Sequence, residues 1–287
     1  MKTGMVLEGG GMRGLYTTGV LDVFMKNQIW VDGVVSVSAG ATFGCNYKSQ
    51  QIGRALRYNL KYCRDPRYNS FRSLLKTGDL FGVDFCYRQL PYELDIFDTE
   101  TYEKTPVDFY VTCTDVQTGK PVYKLCPKGD AVDIEWIRAS ASLPIVARVV
   151  NIDGRGYLDG GISDSIPLAA LQNLGFAHNI VVLTQPAGYR KSKNSMLPLI
   201  KLKMRKYPAV VECMANRHIM YNGELDYVEK CAKEGHTLVI CPSRKIDIGR
   251  TEKDPQKLQA MYDLGVHDAE SKLREIKEFL GAAQRTD

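Results

Sequence analysis

Ser38, in the stretch "SVSAG", occupies a position suited to a nucleophile. It follows the short apolar run Val34–Val37, which predicts a strand, and precedes small residues that suit a helix packed closely on a sheet. The stretch fits the pattern G-x-S-x-G, in which a sharp strand-to-helix turn exposes the serine hydroxyl, with Ser36 in the first glycine position. Because Ser36 carries a Cβ and avoids positive φ, we expect a turn that differs slightly from the all-glycine form.

The glycines of the stretch "LEGGGMRGLY" are compatible with two functions. Gly9, Gly11 and Gly14 have the spacing G-x-G-x-x-G, which taken literally indicates a dinucleotide-binding loop. Such a loop needs an acidic residue at the carboxyl end of the second strand, whereas Asp32 stands before that strand and Ser38 ends it. The segment also lacks the Gly-Lys-Ser/Thr of a phosphate-binding P-loop. An oxidoreductase with a dinucleotide site is therefore the least favoured hypothesis.

The same glycines suit an oxyanion hole. Consecutive glycines before a helix leave several backbone N–H groups free to point at one anion, and tetrahedral intermediates need such donors. The turns after the first two strands open at the same sheet edge, so Gly9, Gly10 and Gly11 are expected to face Ser38. A tight turn for close helix packing is the alternative. Arg13, in the same loop, is either a surface charge or a contact for an anionic head group.

The four histidines do not stand where a base for Ser38 is needed. His178 and His236 directly precede apolar strands, and therefore lie at the amino ends, opposite the edge that carries Ser38. His218 and His267 fall in charged, helical sequence. A serine–histidine–aspartate triad is therefore not predicted.

Asp159, in "GYLDGG", is the candidate base. It follows a short strand and precedes two glycines, which places a carboxylate in a tight turn near other backbone. The pKa of an aspartate carboxyl is about 3.9, whereas that of a serine hydroxyl lies well above about 10, the pKa of tyrosine. Complete transfer of the serine proton to Asp159 would therefore cost more than ~8 kcal/mol. Proton removal must accompany the attack of the serine oxygen. Burial that raises the pKa of the carboxyl narrows this gap. Capping of backbone N–H groups is the alternative role, and the less favoured bases are Asp115, Asp153 and Asp164.

Strands and helices alternate along the chain, which predicts a three-layer α/β sandwich with a mainly parallel central sheet. A first strand, Met5–Glu8, leads through the glycines to a helix at Leu15–Gln28. Two hairpins are predicted, which turn at Thr118–Gly119 and Asp153–Gly154. The runs "HNIVVLTQP" and "HTLVICPS" are typical of strands buried on both faces.

The last helix begins with Asp254 as N-cap and Pro255 in the first helical position. It is expected to run to about Leu280, with an interruption at Gly265, and to lie on the surface because it carries many Lys–Glu pairs. No repeat or linker marks a boundary, so residues 1–287 are predicted to form a single domain, in which residues 186–287 complete or cap the motif-bearing part.

Three motifs, "GGGMRG", "SVSAG" and "DGG", in this order, resemble the oxyanion-hole, nucleophile and dyad motifs of the patatin-like phospholipases. Supporting segments of that family are similar to "CTDVQTG" and "RASASLPIV", and the resemblance covers residues 5 to about 185. It implies a fold related to that of the α/β-hydrolases, a Ser38–Asp159 dyad and oxyanion stabilisation by Gly9–Gly11. It also implies hydrolysis of lipid acyl esters, of phospholipase A or lysophospholipase type, without a metal or cofactor. A non-catalytic lipid-binding protein on the same fold is the alternative.

Composition narrows the remaining classes. The chain has 287 residues, enough for a core without cross-links, and its eight cysteines stand at least ten residues apart, which excludes C-x-x-C zinc and redox motifs. A net charge of +5 does not indicate nucleic acid as a partner. The sequence has no apolar run long enough to span a membrane and no signal-peptide pattern, so we expect a cytoplasmic protein with reduced thiols.

Residues 188–207 concentrate the positive charge. They hold seven Lys or Arg and no Asp or Glu, interleaved with leucine, isoleucine and methionine. Such a segment is suited to peripheral contact with an anionic membrane, and the alternative is a solvated helix face. The oligomeric state, the head group and the acyl length leave no signal in the sequence.

Overall fold

A mixed sheet of eight strands, most of them parallel, forms the centre of a computed structural model that describes residues 1–284. The strands are β1 (Thr3–Leu7), β2 (Gly33–Val37), β3 (Asp108–Asp115), β4 (Pro121–Leu125), β5 (Val150–Ile152), β6 (Arg155–Asp159), β7 (His178–Val182) and β8 (Thr237–Ile240). They follow the order β5-β6-β3-β2-β1-β7-β8, and β4 also pairs with β3. The pairs among β3, β2, β1, β7 and β8 are parallel, as predicted.

Helices cover both faces of the sheet and complete the predicted three layers. Those of the described residues are α1 (Leu15–Lys26), α2 (Ala39–Lys48), α3 (Arg54–Tyr62), α4 (Phe71–Thr77), α5 (Thr99–Lys104), α6 (Ala131–Ser140), α7 (Leu168–Asn173), α8 (Leu197–Lys203), α9 (Pro208–Lys233), α10 (Pro255–Ser271) and α11 (Leu273–Gln284). A π-helical segment spans Phe85–Leu94. Within residues 1–284, every helix is too short or too polar to cross a bilayer.

Alternating side chains of the central strands enter two separate cores. Met5 and Leu7 of β1 pack in one core with side chains of α1, α2, α6 and α10. Val6 points to the other face, where it packs with side chains of α7 and α9. Because both faces of the sheet are buried, the central strands have continuous apolar sequences. Because β1 and β2 are parallel, the turns that follow them open at the same edge of the sheet.

The β5–β6 hairpin forms as predicted and carries Asp159. Its turn residues, Asp153 and Gly154, have φ of 50° and 77°, the positive values that a tight two-residue turn requires. β6 pairs antiparallel with β3, which sets Asp159 beside Cys113. The hairpin thus brings Asp159 to the edge of the sheet at which β2 ends.

The prediction for the last helix is wrong in two respects. The break lies at Lys272, between α10 and α11, and α10 packs along α1 with a buried face. At Gly265 a Cβ would stand 2.1 Å from the backbone oxygen of Tyr16, so this glycine allows two helices to approach closely. The N-cap is confirmed, since the Asp254 side chain accepts the N–H of Gln256 at 3.0 Å.

Candidate active site

Ser38 ends β2 and begins α2 in a strained turn. Its φ of 54° and ψ of −119° lie where residues with a Cβ are rare, a conformation that costs about 1–3 kcal/mol. Its N–H donates to Ser140 Oγ at 2.9 Å, and that hydroxyl donates to the oxygen of Thr112 at 2.7 Å. Ser36 stays in the strand, where its hydroxyl donates to the oxygen of Tyr110 at 2.8 Å. The strain therefore falls on Ser38, and Ser36 does not need the conformational freedom of glycine.

The glycine loop lies against Ser38. A Cβ on Gly9 would stand 2.7 Å from the Cβ of Ser38, so only glycine permits this approach. On either side of the loop, the N–H of Glu8 donates to Val182 and that of Met12 donates to the oxygen of Arg250. Among the described residues no acceptor pairs with the N–H groups of residues 9–11. The loop thus offers three unused donors beside the serine.

Asp159 is buried and faces the same small pocket as Ser38. Its Oδ1 accepts the N–H of Gly161 at 2.8 Å, so the carboxylate also caps the turn that follows. Its Oδ2 is buried and makes no hydrogen bond of normal geometry within the described part of the chain. Burial raises the pKa of this carboxyl, and the Ser38 side chain and the charge of Arg217 act against that rise.

The less favoured acids are engaged elsewhere. Asp115 accepts the N–H groups of Gln117 and Thr118 in its own hairpin, and Asp153 forms the β5–β6 turn. Asp164 accepts the hydroxyl of Tyr123 at 2.6 Å. None of these three carboxylates lines the pocket that contains Ser38.

The amino ends of the strands carry the groups that the dinucleotide and triad hypotheses require. His178 begins β7 and its ring lies 5.9 Å from that of His236. Asp32 accepts the N–H of Thr3 at 2.7 Å, also before the strands begin. The placement of His178 and His236 is therefore confirmed, and Asp32, the candidate ribose-binding acid, lies at the strand ends opposite the glycine loop.

Two cavities meet at Ser38. The small pocket holds the glycine loop and Asp159, and a larger one of about 360 Å³ extends away from it, a volume typical of small-molecule sites. The larger cavity is mostly apolar, with walls that include Phe43, Tyr58, Phe81, Leu90, Ile134 and Ile137. A reacting group at Ser38 would thus have polar donors on one side and an apolar channel on the other.

Arg13 lines the small pocket and is not a simple surface charge. Its Nε is buried and has no hydrogen-bond partner within the described residues. Burial and the nearby Arg250 lower the pKa of its guanidinium. The position suits contact with an anion.

Three more cations line this pocket, and the motif analysis missed them: Lys191, Arg217 and Arg250. Lys191 belongs to the basic segment 188–207, for which the sequence predicts only a surface role. Arg217 lies in α9, and Arg250 lies in the loop before α10. Neither follows a motif, and only the packing of the C-terminal elements brings them to Ser38.

Two family models match the sequence. Patatin-like phospholipase matches residues 5–171, and a domain of unknown function, DUF6363, matches residues 207–281. The solved structure of VipD from Legionella pneumophila aligns with 96% of this chain and 67% of that chain, at 10% identity and a TM-score of 0.47. That score is too low to add to the family match.

The curated relatives that match this chain are longer than it. Uncharacterized protein YjjU of Escherichia coli (strain K12) is 31% identical over 196 residues, 65% of this chain and 53% of that protein. Uncharacterized NTE family protein Rv1063c of Mycobacterium tuberculosis is 25% identical over 185 residues, which are 63% and 48% of the two chains. Lysophospholipase nte1 of Emericella nidulans is 26% identical over 212 residues, which are 69% and 13%. The chain thus spans about half the length of the first two relatives. Because the first family model covers more than half of the chain, the protein belongs to the patatin-like phospholipase family, as its motifs predict.

Proposed function

We propose that the protein is a serine acyl hydrolase that cleaves carboxylic esters of lipids. The observation that carries this proposal is the position of strained Ser38, between buried Asp159 and the unused N–H groups of residues 9–11, where the apolar cavity begins. Membership of the patatin-like phospholipase family and a distant relative named as a lysophospholipase support the choice of lipid esters.

In the proposed reaction, Ser38 Oγ attacks the ester carbonyl while its proton passes to Asp159. The carbonyl oxygen becomes an oxyanion and accepts hydrogen bonds from Gly9–Gly11, each good donor contributing about 3 kcal/mol to the transition state. The ester bond breaks as Asp159 returns the proton to the leaving alcohol. Water then attacks the acyl-enzyme with Asp159 as base, which releases the fatty acid and restores the serine.

Asp159 is suited to this role by its surroundings. The hydrogen bond from Gly161 fixes Oδ1, which leaves the buried Oδ2 to accept the proton. Burial also raises the pKa of the carboxyl, which narrows the gap to the serine hydroxyl and lowers the cost of the transfer.

The apolar cavity is the proposed site of the acyl chain. Each methylene buried there contributes about 0.8 kcal/mol to binding. A cavity of about 360 Å³ lined largely by aromatic and aliphatic side chains therefore favours long-chain esters over short ones.

Labelling with a fluorophosphonate probe and peptide mapping tests the proposal. We expect one adduct on Ser38, its loss in Ser38→Ala and much slower labelling in Asp159→Asn. Ser36→Ala is the matched control, because that hydroxyl is bound to the oxygen of Tyr110. Ester hydrolysis that survives both Ser38→Ala and Asp159→Asn would falsify the mechanism. Lipid binding without labelling would instead establish a non-catalytic lipid-binding protein.

Peripheral contact with an anionic membrane through residues 188–207 is a second part of the proposal. Leu199 and Leu202 of α8 are 42% and 67% exposed, next to Lys201 and Lys203 of the same helix. Not every cation of the segment is free to contact a membrane, since Arg190 pairs with Asp226 at 2.5 Å and Lys191 lines the pocket at Ser38. Equal partitioning onto anionic vesicles of the wild type and a variant with Lys201, Lys203, Arg205 and Lys206 changed to Glu would exclude this contact.

We also infer that residues 1–287 act as one domain. β8 extends the sheet beside β7, and α10 packs along α1. Both elements belong to the C-terminal part, whereas α1 and β7, which they contact, belong to the motif-bearing part of the chain. Residues 285–287 of the predicted range lie outside the described residues.

A further inference from the structure

Four cationic side chains surround the small pocket at Ser38: Arg13, Lys191, Arg217 and Arg250. Among the described residues, two carboxylates line the pocket, those of Glu8 and Asp159. A cluster of like charges is unfavourable where water is partly excluded, because each cation destabilises the charged form of its neighbours. A bound anion would relieve this repulsion.

The carboxylates do not pair with these cations. Within residues 1–284, no carboxylate lies within salt-bridge distance of any of the four. Glu8 is instead occupied, since it accepts the N–H of Thr184 at 2.6 Å and the hydroxyl of Tyr221 at 2.7 Å. The positive charge of the pocket is therefore left without a partner of opposite sign at contact distance.

Lys191 is held at the pocket by contacts with α9. Its Nζ lies 4.0 Å from the centre of the Tyr221 ring, and its backbone N–H donates to Asn222 Oδ1 at 2.8 Å. Two contacts to α9 thus hold an ammonium group at the pocket. Burial lowers the pKa of this lysine to about 7, and the charges of Arg217 and Arg250 add to the effect.

Three of the four cations come from outside the patatin-like part of the chain. That family model ends at residue 171, whereas Arg217 and Arg250 lie in residues 207–281, matched by the domain of unknown function. The backbone of Arg250 is fixed to the glycine loop, because its oxygen accepts the N–H of Met12 at 3.0 Å. The C-terminal region thus builds one wall of the pocket that holds Ser38.

We propose that Lys191, Arg217 and Arg250 complete, with Arg13, a binding site for a phosphate group of the substrate, so that the protein selects acyl esters that carry a phosphate monoester close to the scissile bond. This inference rests on the proposed serine hydrolase function. In this proposal the C-terminal region selects the substrate by its charge.

Charge and size both favour a phosphate monoester. The oxyanion of the reaction carries one negative charge and has the glycine N–H groups as donors, which leaves the cations in excess. A phosphate monoester carries close to two charges at neutral pH and three acceptor oxygens, which match guanidinium and ammonium donors. The pocket is also much smaller than the apolar cavity, which excludes a bulky head group from it.

The ratio of two kcat/KM values tests the proposal. We compare a 1-acylglycerol 3-phosphate with the monoacylglycerol of the same chain, which lacks only the phosphate. The wild type is expected to prefer the phosphate ester, and Lys191→Gln and Arg250→Gln are each expected to lower the ratio at least about tenfold. Lys193→Gln, an exposed lysine of the same segment, is the matched control and keeps the wild-type ratio. A ratio that is the same in all four proteins overturns the inference.

Binding of inorganic phosphate separates this inference from the proposed function. At constant ionic strength, phosphate is expected to raise the Tm of the wild type and of Lys193→Gln more than that of the Lys191→Gln/Arg250→Gln variant. An equal shift in all three proteins would show unspecific ion binding and overturn the site. Should the wild type cleave neither ester, the hydrolase function fails while this measurement still decides the anion site. Phosphate binding without any change of the substrate ratio would make the site one for free phosphate and overturn the substrate proposal.

Discussion

Arg217 on α9 donates a hydrogen bond from Nε to the backbone oxygen of Gly161, in the turn that begins with Asp159. Its Nη2 lies 3.5 Å from Ser165 Oγ, at the far side of the same turn. Burial raises the pKa of Asp159, and the charge of Arg217 opposes this rise. One side chain from the C-terminal region thus acts on both the position and the charge of the proposed base.

Arg217→Gln is expected to move the acid limb of the pH–rate profile to higher pH. Asp159 must be ionised to act as base, and loss of the neighbouring cation raises the pKa of its carboxyl further. The profile is measured with a short-chain phenyl ester, and kcat is expected to fall because the turn is less well held. Arg205→Gln, which removes an exposed cation, serves as control. An acid limb at the same pH in Arg217→Gln and in the wild type would rule out an electrostatic effect of Arg217 on Asp159.

The strain at Ser38 predicts an unusual order of stabilities. Because φ is 54°, Ser38→Gly is expected to be more stable than Ser38→Ala by about 1 kcal/mol in urea unfolding, although glycine makes the unfolded chain more flexible. Ser36 lies in a regular strand, so the order there is expected to reverse, with Ser36→Ala more stable than Ser36→Gly. If Ser38→Ala proved more stable than Ser38→Gly, as is expected at position 36, the conformation of Ser38 would store no strain.

Sequence patterns predicted the arrangement at the ends of β1 and β2 for a physical reason. Parallel strands end at one edge, so the glycines after β1 and Ser38 after β2 had to meet, and a glycine-rich turn after β6 could carry Asp159 to them. Glycine spacing alone was ambiguous, because the same residue allows a turn, an anion contact or close helix packing. At Gly265 the sequence predicts a break in the helix, whereas the glycine allows close packing against α1.

The C-terminal contribution to the site was beyond the reach of sequence patterns. Arg217 and Arg250 lie on an amphipathic helix and in a loop, where a charged residue is normal on a solvated face. Only the tertiary packing of α9 and of the loop before α10 turns these side chains toward Ser38. Because tertiary packing places these arginines at the site, they follow no sequence periodicity or motif spacing that could identify them.

A larger side chain at Ala141 is expected to shorten the preferred acyl chain. Ala141 ends α6 and lines the apolar cavity, so Ala141→Phe fills part of the space proposed for the chain. The ratio of kcat/KM for a butyryl ester to that for a dodecanoyl ester is expected to rise about tenfold, the equivalent of one or two lost methylene contacts. Val132→Phe, on the exposed side of the same helix, is the control and leaves the ratio unchanged. An unchanged ratio in Ala141→Phe would place the acyl chain elsewhere.

The buried acids Asp164 and Glu224 predict a stability that falls with rising pH. Burial raises the pKa of Glu224 from 4.5 to about 9, and the charge of Asp164 adds to the rise. The folded state therefore holds a proton that the unfolded chain releases, so this contribution is complete below about pH 4.5 and is lost as the pH rises to about 9.

Glu224→Gln is the test of this pair. The variant is expected to show a smaller loss of unfolding free energy between pH 5 and about pH 9 than the wild type, because no proton is released at this position. Glu212→Gln, an exposed residue of the same helix, controls for a change of one charge. Parallel stability curves for the wild type and Glu224→Gln would contradict the binding of a proton by Glu224 in the folded state.

Lys191 predicts a pH dependence for substrate selection. Burial lowers the pKa of this lysine to about 7, with Arg217 and Arg250 contributing, so its charge disappears as the pH rises through neutrality. Between pH 7 and about pH 9 a phosphate monoester keeps close to two charges, and any change there comes from the protein. The preference of the wild type for the phosphate ester is therefore expected to decline over this range.

Lys191→Arg distinguishes this titration from other effects of pH. A guanidinium stays protonated throughout the range, so the variant is expected to keep its preference for the phosphate ester up to about pH 9. The measurement is the ratio of kcat/KM for the phosphate ester to that for the neutral ester at each pH, which cancels any titration of Asp159 common to both. An equal decline in the wild type and in Lys191→Arg would assign the effect to another group.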